Sequence, residues 1–227
     1  MIKFYRPEID GLRAIAVILV ILYHCKIFIF EFEPFRGGFI GVDIFFIISG
    51  YLISSILIND YSRQGKVNIL NFIERRVRRI IPALIFFTLI TILLISIFFK
   101  EYQKFFFLNL DNALKSIFFS SNQMLSDYFD PGREANLFYH TWSLSIEIQI
   151  YLFFAFCFFF IIKLKKLYQI IFLFIVLVIS GFLTQFGANL KGSAPYLETS
   201  FYFFNQPYWA GFFSPISRIF EFVLGSL

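Results

Sequence analysis

Six ionisable side chains set in apolar surroundings could do chemistry in this chain: His24, Asp43 and Glu147, and the arginines Arg13, Arg76 and Arg79. An ionisable group inside a bilayer costs about 2.5–3.5 kcal/mol on insertion scales, so each asks for a reason. Arg13 and His24 lie eleven positions apart in RPEIDGLRAIAVILVILYHCKIFIF, residues 6–30. On a helix they would sit about 20° apart on one face and about 16 Å apart along it. The spacing predicts one stripe, with the guanidinium near a membrane surface and the imidazole deep inside.

Asp43 stands in GGFIGVDIFFIISGYLI, about five residues in from the outer edge of the second apolar run, and His24 is about six in from the same edge of the first. Both depths come to roughly 8 Å, so the two could meet. A carboxylate bonded to one ring nitrogen would fix the tautomer and raise the basicity of the other, as a general base acting on a hydroxyl requires. The alternative is an Asp–His pair that only neutralises two buried polar groups. Glu147, in FYHTWSLSIEIQIYLFF, is expected in the same outer half with His140, Trp142, Ser143 and Ser145. His140 and Trp142 also suit interface anchors.

Arg76 and Arg79 are three apart in NFIERRVRRIIPAL, on one helical face, with Pro82 in the early turns of the next apolar run. Topology and anionic lipids alone would select such a cluster at a cytoplasmic boundary. Guanidinium groups also bind phosphate oxygens in pairs, so the functional reading is a phosphate clamp, with Arg13 facing the same vestibule. Near the end, SRIFEFVLGSL sets Arg218 and Glu221 three apart, as an internal ion pair would be.

These groups need a membrane scaffold. Hydrophobic residues make up 59% of the 227, charged ones 15%, and 37 are Phe, too apolar for an ordinary soluble domain. The fold class expected is an all-α, polytopic transmembrane bundle. Spans are predicted at about 14–30, 39–58, 80–99, 143–162 and 167–187, with a sixth from 214 that is cut off at 227. The polar, shorter run at about 105–119 is expected as an interfacial or re-entrant helix on the outer side. A chain stopping inside an apolar helix looks like the N-terminal part of a longer membrane domain. The first run is expected to be an uncleaved anchor with its N-terminus in the cytoplasm, which puts Arg75, Arg76, Arg78, Arg79, Lys163, Lys165 and Lys166 inside. The net charge of +5 is explained by this topology, with no nucleic-acid partner. Cys25 and Cys157 offer neither a disulfide framework nor metal spacing, and no metal site is expected.

Taken together, Arg13 and His24 with ten residues between them, GGFIGVDIFFIISGYLI, the RRxRRxxP pattern, HTWSLSIEIQIYL and SRIFEFVLG resemble the acyltransferase family 3 membrane proteins, bacterial O-acyltransferases of surface glycans. The family's fourth-span motif commonly reads SVEEQ where this chain has SIEIQ, so Glu147 matches and Ile148 does not. The resemblance implies about ten spans in the inner membrane, sometimes with an extracytoplasmic hydrolase-like domain. It implies acyl-CoA, usually acetyl-CoA, as donor and a surface or lipid-linked glycan as acceptor. His24 would be the essential residue, and Arg76 and Arg79 with Arg13 would meet the CoA. From the residues alone, two rivals stand: a transporter or flippase for a lipid-linked sugar that uses His24, Asp43 and Glu147 as a proton relay, and a scaffold in which every buried polar group is structural.

Overall fold

Pro7 opens the first helix, where a missing N–H costs nothing, and Glu8 and Asp10 complement the dipole of its first turn. This helix, α1, runs Pro7–Cys25 and stops at Lys26, which turns left-handed (φ 46°). The expected span of 14–30 is therefore displaced: capping chemistry set the ends, and the apolar run continues past the helix. The computed structural model describes residues 6–30, 32–99, 102–124, 136–187 and 213–227. After α1 come α2 (Ile40–Gln64), α3 (Ile69–Phe98), α4 (Gln103–Ile117), α5 (Trp142–Ile161), α6 (Lys166–Gly187) and α7 (Pro215–Ser226). The described residues form an all-α bundle. Four helical stretches, Ile40–Gln64, Ile69–Phe98, Tyr139–Ile161 and Lys166–Thr184, are long and apolar enough to cross a membrane.

Helix α3 starts well before the expected 80. The Asn68 side chain caps it, accepting from the Asn71 N–H at 3.1 Å, and the arginine cluster lies within the helix rather than in the preceding loop. Pro82 is an interior residue of α3. The buried stripe Phe72, Arg76, Leu84, Thr88, Thr91 and Ile95 recurs at three- and four-residue steps and continues through the proline. Helix α4 packs on α3, and its buried face is polar: Asn109, Asn112 and Ser116. The Asn109 carbonyl accepts from the Leu137 N–H at 2.9 Å, and the Ser116 and Thr141 hydroxyls meet at 2.7 Å. These bonds fix the segment that leads into α5 and carries His140.

Helix α2 is the centre, with α1, α5 and α7 packed around it. Its core partners include Trp142, Ile146, Tyr151, Phe154, Ile219 and Phe222. Gly50 lies directly against the backbone of Phe222, so α2 and α7 approach more closely than any side chain would allow. Gly50→Ala is expected to destabilise the bundle by about 1–3 kcal/mol, because the obstructing atoms are backbone and cannot swing away. Thermal unfolding in detergent measures this. Gly181→Ala, whose new methyl would meet nothing within 4 Å of its place inside α6, should leave the midpoint unchanged or raise it slightly.

Candidate functional site

Arg76 is 9% exposed and sits between two rings, its guanidinium 5.5 Å from the Phe72 centroid and 5.4 Å from that of Tyr151. Within electrostatic range of it lie Arg79, Glu147 and Arg13. Two helices, α1 and α3, thus bring the three predicted arginines together. Their neighbours are differently engaged. Arg75 pairs with Asp60 at 2.8 Å and Arg78 with Glu74 at 2.6 Å, whereas Arg76 and Arg79 have no hydrogen bond or ion pair among the described residues. Among the described residues Arg13 reaches only Asp10, at 3.4 Å.

Glu147 lies within electrostatic range of Arg76. It accepts hydrogen bonds from the Ser49 hydroxyl at 2.6 Å and from the Tyr151 hydroxyl, and Tyr151 also lies 3.3 Å from Ser49. Glu147, expected in the outer half with His140, is the sixth residue of α5; its charge is felt by Arg76, and the three hydroxyl and carboxyl groups form a half-buried knot joining α2 to α5. Tyr151, four residues after Glu147 on the same helical face, was open to recognition from sequence. Ser49, 98 residues away, carried no such signal.

Asp43 does not support His24. Its carboxylate takes a bond from Arg218 at 3.0 Å, and Arg218 also holds Glu221 at 2.7 Å, as the three-residue spacing predicted. Among the described residues no hydrogen bond or ion pair joins Asp43 to His24. The stagger of α1 on α2 explains the separation. Gly38 lies against Leu19 and Tyr23, and Gly41 against Ala16 and Val20, so Asp43 is level with a part of α1 well before His24. The offset is roughly 10 Å along the axis, and the counter-charge of Asp43 is the Arg218 guanidinium.

His24 and Arg13 keep their shared stripe on α1, about 60–80° round the helix from Ala16, which is fully buried and faces α2. The imidazole packs edge-on to Tyr23, with centroids 5.2 Å apart. Across from it, within electrostatic range, stands His140, whose ring meets Phe87 of α3 at 5.0 Å. Both histidines are exposed. The stripe therefore has Arg76 within electrostatic range of its Arg13 end and His140 within range of its His24 end.

The family profile described as "Acyltransferase domain" matches residues 6–227, nearly the whole chain. The chain belongs to the acyltransferase-3 family. Among its relatives, the O-acetyltransferase OatA of Staphylococcus aureus is 41% identical over 149 residues, covering 63% of this chain and 23% of the relative. The peptidoglycan O-acetyltransferase OatA of Listeria monocytogenes is 40% identical over 148 residues, with 63% and 22% covered. The putative peptidoglycan O-acetyltransferase YrhL of Bacillus subtilis is 38% identical over 146 residues, with the same coverage. The match spans under a quarter of the length of these curated relatives. No solved structure matches the chain. As an acyltransferase-3 chain with four helical stretches fit to cross a bilayer, it is a multi-pass membrane protein.

Proposed function

We propose that this chain forms the donor-handling part of an enzyme in the cytoplasmic membrane, its N-terminus inside, that moves an acyl group from cytoplasmic acyl-CoA to a hydroxyl of a surface or lipid-linked glycan. The acyl group is acetyl, by analogy with the relatives named for O-acetyl transfer. One observation carries this reading. In a cluster of four arginines, the two that form no ion pair among the described residues are Arg76 and Arg79, and Arg13 stands within electrostatic range of Arg76.

Paired guanidinium groups fit phosphate oxygens, so Arg76 and Arg79, with Arg13 beside them, take the phosphates of the nucleotide head. The Phe72 and Tyr151 rings and the Glu147 knot hold Arg76 in place. From there the Arg13–His24 stripe gives a path of about 16 Å for the narrow arm that carries the thioester. His24 removes the proton of the sugar hydroxyl as its oxygen attacks the thioester carbonyl. The C–S bond breaks, and the imidazolium returns the proton to the departing sulfur. In the other route the same ring nitrogen takes the acyl group first and then passes it to the hydroxyl.

The test is label transfer. The full-length protein, given labelled acetyl-CoA and cell-wall glycan, is expected to yield labelled glycan. Proton-coupled flux without CoA dependence, and with no label on glycan, would replace the enzyme by a transporter.

A further inference from the structure

Helices α5 and α6 are consecutive and joined by a short turn, yet α6 packs on α7 rather than on α5. The gap between them holds two apolar cavities, of about 150 and 240 Å³, that share Phe153, Val176 and Ile219 in their walls. Along α5 the cavities run from Gln149 to Ile162, which is about 20 Å of helix. Two features distinguish this groove from a mere gap in packing. At its α5–α6 turn stand Lys163, Lys165 and Lys166, all exposed, with the Lys163 ammonium 4.6 Å from the Phe159 ring centroid. Further in, Ser54 lines the wall with its hydroxyl buried and without a hydrogen bond among the described residues.

We infer that the groove is a binding site for an anionic phospholipid of the cytoplasmic leaflet. The phosphate sits among the three lysines, one acyl chain lies in the apolar slot, and Ser54 offers its hydroxyl to an ester carbonyl. Charge complementarity selects this occupant. A neutral lipid would leave the lysines without a counter-charge, and a purely hydrocarbon surface would leave Ser54 unsatisfied. Basic pockets between transmembrane helices on the cytoplasmic side suit such headgroups.

Cys157 lines the groove and Cys25 lies at the end of α1, which gives an internal control. The full-length protein in detergent would be treated with a maleimide, with phosphatidylglycerol or phosphatidylcholine added, and labelling followed at each cysteine by peptide mass. Phosphatidylglycerol is expected to slow labelling of Cys157 several-fold and leave Cys25 unaffected, with phosphatidylcholine having little effect. Changing the three lysines to glutamine should weaken the protection roughly tenfold or more in lipid concentration. Equal protection by both lipids would overturn the inference, as would protection that survives loss of the lysines. So would a Cys157 that is closed to the reagent without added lipid.

Discussion

His24→Ala is expected to reduce acyl transfer about 10²–10⁴-fold, the usual contribution of a positioned general base, while the KM for acyl-CoA stays close to that of the parent. The split follows from the geometry. His24 is the ring at the far end of the α1 stripe, away from the arginines proposed to hold the donor, and no ion pair ties it into the bundle among the described residues. Removing an exposed ring that packs on Tyr23 should leave folding intact, so the melting midpoint should not move. Steady-state transfer kinetics on the full-length protein, with the midpoint measured alongside, check the prediction. Near-normal turnover in the variant would assign the proton transfer to another group.

Arg218→Met is expected to be the most destabilising single change, costing about 3–5 kcal/mol. The guanidinium holds two carboxylates from different helices, Asp43 at 3.0 Å and Glu221 at 2.7 Å, and its side chain is 4% exposed while that of Glu221 is 2% exposed. Without it, two acids are left unpaired beside the α2–α7 contact, where Gly50 already allows backbone to touch backbone. Neutralising both acids as well, by Asp43→Asn and Glu221→Gln, should restore much of the loss, since an all-neutral site of similar shape pays no desolvation of charge. Detergent melting of the single and triple variants measures the effect. The same series separates two roles for Asp43. Asp43→Asn alone should lower the midpoint and leave the turnover of the folded fraction intact, whereas a carboxylate that worked through His24 would lower turnover instead.

How far the sequence could be read depends on which forces set each contact. The Arg76 and Arg79 pair was legible because spacing along one helix is fixed by 3.6 residues per turn. The Arg218–Glu221 pair was legible for the same reason, and so was the Arg13–His24 stripe. The partner of Asp43 was not. Its depth had been measured from the edges of apolar runs, but α1 is set by Pro7 and the left-handed Lys26, and its height on α2 by Gly38 and Gly41. A shift of a few residues in either moves a side chain by a turn or more. The early start of α3 was also missed, because the span was counted from the apolar run that follows the four basic residues, although Phe72, Arg76, Ile80 and Leu84 keep a perfect four-residue step.

The arginine cluster offers the most direct measurement. In the full-length protein, the KM for acyl-CoA would be determined for Arg75→Ala, Arg76→Ala, Arg78→Ala and Arg79→Ala. Loss of a charge-assisted contact to phosphate is worth about 1.5–3 kcal/mol, so KM should rise about 10- to 150-fold for Arg76→Ala and Arg79→Ala. It should barely change for Arg75→Ala and Arg78→Ala, whose guanidinium groups already serve Asp60 and Glu74. Equal effects at all four positions, or none at Arg76 and Arg79, would contradict a donor held at this end of the bundle.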